Sequence, residues 1–92
     1  LDQVPEPAVK AAADDAARES VRRVYAALDR LDAGSRVLFV LRHVEGMQLE
    51  ELGQAVGCSL ATVKRRLARA EARFEAIAAG DPVLQAHLGR DE

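Results

Sequence analysis

The chain of 92 residues has the length of one small domain, and 49% of it is hydrophobic, which is enough for a packed core. Aromatic residues make up only 3%, so the core must be aliphatic, a composition that favours close-packed helices. No apolar run approaches the roughly 20 residues of a membrane span, and we expect no contact with a membrane. The sequence starts at Leu1 without a methionine and has no signal-peptide pattern. We therefore expect a piece of a longer, cytoplasmic protein.

The net charge of −2 hides an uneven distribution along the chain. Residues 57–73 carry Lys64 and four arginines against a single carboxylate, Glu71. The stretches on both sides of this segment are net acidic. A short basic segment inside an acidic chain is typical of a local nucleic-acid-binding surface.

The N-terminal third predicts a linker followed by a long helix. Residues 1–7 contain two prolines in three positions, which argues against a helix there, so we expect the domain to occupy 8–79. A first helix is predicted over 10–31, with one apolar stripe along it. The members of that stripe are Ala17, Val21, Val24, Tyr25, Leu28 and Leu31.

Turn and cap residues divide the rest of the chain into four further helices. Asp32 is a good N-cap, Gly46 suits a left-handed C-terminal position, and Ser59 caps the helix that follows the turn at Gly57. No alternating strand pattern occurs, so the predicted fold class is all-α, a small bundle of four to five helices. The predicted helices after the first are 33–44, 48–56, 60–78 and 82–88. One core is expected to contain Val37, Leu38, Leu41, Leu52, Val63 and Leu67.

The segment 48–74 has the pattern of a helix-turn-helix: a short helix, a three-residue turn and a longer basic helix. In this motif the first helix lies against the DNA backbone and the second presents outward residues to the major groove. In the 60–78 helix, Leu60 belongs to the apolar side, and Lys64 and Arg66 lie on the flanks, where long side chains reach phosphates. The side opposite the apolar stripe carries Ala61, Thr62, Arg65, Ala68, Arg69 and Ala72.

Several sequence blocks follow one another in the order of a known family. They are LDRL at 28–31, VLFVLRHVEGM at 37–47, EELG at 50–53, GCS at 57–59 and ATVKRRLARA at 61–70. Together they resemble region 4 of bacterial sigma factors, especially the extracytoplasmic-function group. Because several blocks match in the right order over 28–74, the resemblance is more specific than any single motif.

The resemblance implies a non-catalytic DNA-binding domain that recognises the −35 element of promoters. It also implies contact with core RNA polymerase, chiefly the β-subunit flap, and an anti-sigma factor is a further candidate partner. No metal or cofactor is implied. The family's DNA-contact positions correspond to Thr62, Lys64, Arg65, Ala68 and Arg69, with backbone contacts from Arg42 and Arg66.

The chain departs from the family pattern at three positions. Asp32 stands where the family usually has proline, a change that should preserve the helix start. Arg65 replaces a common small hydroxyl residue and Ala68 replaces a bulkier side chain. We expect these two differences to alter which bases are read.

Two other functional classes remain open at this point. One is the output domain of a LuxR-type response regulator, which shares the Thr-Val-Lys core of the recognition helix. The other is a sigma-like protein-interaction module without DNA binding, for which Ala68 and the acidic chain ends leave room. The long charged helix before Leu31 and the Arg-Ala-Glu-Ala-Arg run at 69–73 favour the sigma interpretation.

The remaining polar residues favour structural roles. No Ser/His/Asp, Cys/His or phosphate-loop arrangement is present, so we predict that the protein is not an enzyme. Cys58 is interpreted as a half-buried turn residue, and His43 as a packing or hydrogen-bonding residue and not a ligand. Residues 80–92 are a C-terminal extension with a short helix. Its acidic residues predict that it either weakens DNA binding by lying near the basic helix or docks a partner.

Overall fold

A computed structural model describes residues 5–88, with the side chains of the last two excepted, and these residues form five α-helices. The helices are α1 (Glu6–Asp29), α2 (Ala33–His43), α3 (Leu49–Val56), α4 (Leu60–Ala79) and α5 (Pro82–Leu88). The predicted all-α class is confirmed. Across this described part of the chain, each helix is too short or too polar to cross a membrane.

Helix α1 begins earlier than its two prolines suggested. Pro5 is the N-cap and Pro7 lies in the first turn. Proline is tolerated there because the first N–H groups of a helix have no intrahelical acceptor. The linker prediction is therefore wrong for residues 6–7, and residues 1–4 lie outside the described part.

Only the C-terminal part of α1 packs against the rest of the protein. Leu28 and Leu31 are buried, whereas Val21 and Tyr25 of the predicted stripe are more than half exposed. Ala17 is also exposed. The reason is geometric: α1 is 24 residues long, but α4 and α5 cover only its later turns.

Two adjoining clusters form the apolar core, and α4 contributes to both. Ala27, Leu28, Leu31, Phe74, Ala78 and Leu84 form the cluster between α1, α4 and α5. Leu38, Leu52, Val63 and Leu67 form the cluster between α2, α3 and α4, against which Leu41 is partly buried. These five residues confirm most of the predicted core.

Two apolar residues expected inside are at the surface. Val37 is 48% exposed, because α2 turns Leu38 toward α3 and α4, and a neighbouring residue lies about 100° away around the helix. Leu60 is 40% exposed because it occupies the first turn of α4. The prediction that these two side chains are buried is wrong.

The corner between α1 and α2 is closed by side-chain bonds to the backbone. Asp32 is the N-cap of α2 and accepts a hydrogen bond from the backbone N–H of Ser35 at 3.1 Å. The bonds from Ser35 hold the pKa of the Asp32 carboxyl below its usual range. Arg36 donates to the carbonyl oxygens of Leu28 and Leu31 at the end of α1. The predicted helix start at Asp32 is confirmed.

Helix α5 is part of the core and does not lie over the basic residues of α4. Leu84 is 1% exposed, and Asp81 accepts two hydrogen bonds from Arg23 of α1, each at 3.1 Å. Burial by itself would raise the pKa of Asp81, but the bonds from Arg23 and from the backbone N–H groups of Leu84 and Val83 outweigh it and lower the pKa. Asp81 is thus paired with α1, whereas the expected effect of residues 80–92 on DNA binding or partner docking stays a prediction, and residues 89–92 lie outside the described part.

A pair of leucines on α4 tests this packing. We expect Leu67→Ala to lower the free energy of unfolding by about 2–5 kcal/mol, since its 5% exposed side chain would leave a cavity in the core. The matched control is Leu60→Ala on the same helix, with an expected loss of about 1 kcal/mol or less. Urea titration followed by circular dichroism measures both. Equal losses for the two variants would contradict the described packing.

Candidate nucleic-acid interface

The loop between α2 and α3 is held by Arg42 and by the first turn of α3. Gly46 adopts a φ of +75°, and the guanidinium of Arg42 donates to the carbonyl oxygen of Met47 at 2.7 Å. The carboxylate of Glu51 accepts from the backbone N–H of Gln48 at 2.8 Å. Arg42, which the family pattern suggested as a DNA-backbone contact, thus lies on α2, apart from the residues of α4, and braces this loop.

The turn between α3 and α4 fixes the start of the longer helix. Gly57 adopts a φ of +72°, and the N–H of Cys58 donates to the carbonyl oxygen of Gly53 at 2.9 Å. Ser59 then caps α4, because its hydroxyl accepts from the backbone N–H of Thr62 and donates to the Thr62 hydroxyl. The predicted roles of Gly57 and Ser59 are confirmed.

Helix α4 has one apolar side and one polar side. Val63, Leu67 and Phe74 are buried, and Thr62 is half-buried beside its cap. The other predicted DNA-contact residues of this helix are all exposed, namely Lys64, Arg65, Arg66, Ala68 and Arg69. The structure therefore brings six of the seven predicted site residues together on α4.

The basic side chains of α4 differ from those of α1 in their ion pairs. Arg18, Arg22 and Arg23 of α1 each lie within 4 Å of a carboxylate oxygen. Within residues 5–88, the lysine and the arginines of α4 have no carboxylate at that distance, and Arg66 donates to the sulfur of Cys58 at 3.3 Å. The positive charge of α4 is therefore not neutralised by ion pairing.

Glu71, the one carboxylate inside the basic segment, bonds to a residue of α2 and not to the basic residues of α4. Its Oε2 lies 2.6 Å from Nε2 of His43 on α2, and the centroid of the His43 ring lies 4.5 Å from that of Phe39, with the two rings tilted by 36°. This confirms the prediction that His43 packs and hydrogen-bonds. Cys58 is half-buried in the turn, as predicted. Among the described side chains, no group of histidine, cysteine and carboxylate residues is arranged to hold a metal ion.

Comparison with known proteins identifies this arrangement. The family model described as "Sigma-70, region 4" matches residues 21–74, which is more than half of the chain. The chain belongs to the sigma-70 region 4 family. This match confirms the resemblance drawn from the sequence blocks and decides against the LuxR-type alternative.

Two curated relatives extend the comparison. RNA polymerase sigma factor CnrH from Cupriavidus metallidurans is 38% identical over 66 residues, which cover 72% of this chain and 35% of the relative. RNA polymerase sigma factor NccH from Alcaligenes xylosoxydans xylosoxydans is 36% identical over 61 residues, covering 66% of this chain and 33% of the relative. The chain thus spans about a third of each relative's length. No solved structure matches the chain significantly.

The family match covers α2, α3 and α4 as far as Phe74. The chain is a region 4 of the sigma-70 family, and both relatives that it matches are RNA polymerase sigma factors. Sigma factors are transcription initiation factors and not enzymes. These matches concern the domain and not the base or phosphate contacts of individual residues.

Gly53 is a residue of the motif whose role sequence reasoning missed. It is buried in α3, and a Cβ added there would lie 2.9 Å from the carbonyl oxygen of Cys58. Backbone cannot yield to such a contact as a flexible side chain can, so only glycine lets the turn approach α3 this closely. An isolated glycine inside a helical pattern was the available signal.

A glycine pair tests this close approach. We expect Gly53→Ala to lower the free energy of unfolding by about 1–3 kcal/mol and to weaken DNA binding, because the turn before α4 must move. The control is Gly34→Ala in α2, where the nearest atom to the added Cβ is at an ordinary 3.6 Å. Alanine is the better helix former, so this control should be unchanged or up to about 1 kcal/mol more stable. Thermal unfolding and DNA titration of both variants make the comparison.

Proposed function

We propose that the polar side of α4 binds the −35 element of a promoter, with Arg65 reading a base and Lys64 and Arg69 contacting phosphates. The observation that carries this proposal is that, within the described residues, the lysine and the arginines of α4 have no carboxylate partner; the family match also includes the whole helix-turn-helix. Unpaired cations lose no internal partner when they bind phosphate, and they release counterions from the DNA. The domain would act in the cytoplasm, where the bacterial chromosome lies.

Arg65 suits base recognition because of its position on α4. It lies opposite the buried stripe, and the small residues Ala61 and Ala68 near it let the helix approach the groove floor. An arginine at such a place can donate two hydrogen bonds to O6 and N7 of guanine. Thr62 lies in the first turn of α4, within reach of a phosphate or a thymine methyl group. Arg66, on the flank beside Cys58, is a further candidate for the DNA backbone.

Core RNA polymerase is the second proposed partner, through the β-subunit flap. Val37 is about half exposed and lines a groove of about 450 Å³, together with the buried Leu38, the half-buried Val56, and Arg66 and Arg69 of α4. An apolar segment of a partner would remove this surface from water. An anti-sigma factor that covered the same groove would compete with polymerase, which makes it a further candidate partner.

The two kinds of DNA contact make different predictions. Replacing Arg65 by alanine should cost roughly 1–3 kcal/mol on the preferred site and relax the preference at one base pair, because a bidentate base contact is lost. Replacing Lys64 or Arg69 by alanine should weaken binding to all sequences alike and reduce the slope of log K against log salt by about 0.9 for each lost phosphate contact. Titration of the sigma–polymerase complex on matched and mismatched −35 sequences at several salt concentrations measures both effects.

The outcomes of this titration separate the alternatives. Unchanged discrimination with Arg65→Ala would remove the base-reading role from that residue. If all three variants bind promoters normally, α4 is not the recognition helix. The protein-interaction module without DNA binding would then be the better interpretation of the fold.

A valine pair on α2 tests the polymerase contact. We expect Val37→Ser to weaken binding of the sigma factor to core polymerase several-fold, because the hydroxyl would have to leave water in the interface. The control is Val44→Ser at the end of the same helix, where the valine is also about half exposed but lies outside the groove. Competition binding against the unmodified factor measures the difference. Equal binding of both variants would contradict the assignment of this groove to polymerase.

A further inference from the structure

Arg30 and Arg73 lie together in a shallow groove beyond the predicted DNA-contact residues. The groove has a volume of about 370 Å³, and Ala76, Ile77 and Gly80 complete its lining. Both arginines are exposed, and within residues 5–88 neither lies within 4 Å of a carboxylate oxygen. Arg30 therefore resembles the unpaired basic residues of α4, to which Arg73 belongs, and differs from the three ion-paired arginines of α1.

The two arginines continue a line that starts at the recognition surface. Arg66, Arg69 and Arg73 follow one another at intervals of three and four residues, so they lie along one side of α4. Arg30, the C-cap residue of α1, adjoins the end of this line through the shared groove. Four arginines thus follow one another from the middle of α4 to the corner between α1 and α2, and we refer to them as the positive edge.

We propose that Arg30 and Arg73 bind phosphates of the DNA backbone and extend the contact surface from α4 to the end of α1. This inference rests on the proposed function, in which Arg65 points into the major groove. Arg73 follows Arg65 by eight residues, a rise of about 12 Å along the helix. The major groove is itself roughly 12 Å wide, so Arg73 lies where α4 leaves the groove and passes the backbone at its edge.

One carboxylate adjoins this positive edge and opposes phosphate binding. Asp32 lines the neighbouring groove with Arg66 and Arg69. Its other role, as the N-cap of α2, needs a side-chain oxygen but no charge. Asparagine supplies that oxygen about equally well. Asp32→Asn therefore removes the negative charge while keeping the start of α2.

The experiment compares variants of opposite effect in the 92-residue chain. The probe is a fluorescent duplex DNA without a −35 element, and anisotropy is recorded at several salt concentrations. Arg30→Ala and Arg73→Ala should each reduce the slope of log K against log salt by about 0.9, and Asp32→Asn should tighten binding several-fold at low salt. Arg18→Ala is the matched control, because it removes the same charge from an arginine of α1 already paired with Asp15. It should leave the slope unchanged.

Each further outcome has a distinct meaning. If Lys64→Ala and Arg69→Ala weaken DNA binding but the Arg30 and Arg73 variants do not, the proposed function stands and this extension is overturned. If none of the four alters DNA binding, the proposed function fails as well. Loss of core polymerase binding with unchanged DNA binding would assign the groove to an acidic protein segment. If Arg30→Ala lowers the stability of the protein and leaves DNA binding unchanged, Arg30 acts only by its favourable interaction with the helix dipole at the C-terminal end of α1.

Discussion

The whole structure depends on burying one side of a single helix, α4. Its side chains Val63 and Leu67 fill the cluster with α2 and α3, and Phe74 and Ala78 fill the cluster with α1 and α5. Because this side is buried, the opposite side of the helix faces solvent. The outward orientation of the proposed DNA-contact residues is thus a consequence of hydrophobic packing.

Charge is distributed so that the outward side of α4 stays free. The carboxylates of α1 neutralise neighbouring arginines, Asp81 neutralises Arg23, and Glu71 bonds to His43. A net acidic chain can therefore present a positive surface at its proposed DNA contact, because the field near a surface depends on local arrangement more than on total charge. The free backbone groups at the start of α4 are meanwhile satisfied by Ser59, so the first turn that carries Thr62 is already ordered before binding.

Most of the fold and the position of the site could be predicted from the sequence, because caps, glycines and apolar periodicity are local signals. Asp32, Gly57 and Ser59 marked the helix ends, and the five blocks marked the family. The exposure of Val37 and Leu60 could not be predicted, since apolar periodicity does not tell which of two neighbouring apolar faces meets another helix. The ion pair between Asp81 and Arg23 joins residues far apart in the chain, so no sequence spacing indicated it.

The sharing of α4 between two clusters has a thermodynamic consequence. Its first half carries the proposed DNA contacts, while Phe74 and Ala78 in its second half pack against α1 and α5. A helix that unravels from either end loses contacts in the adjoining cluster, so the two halves of the domain are linked by cooperative folding. By reciprocity, a ligand that orders the first half also protects α5 from local opening, although α5 packs at the other end of the helix.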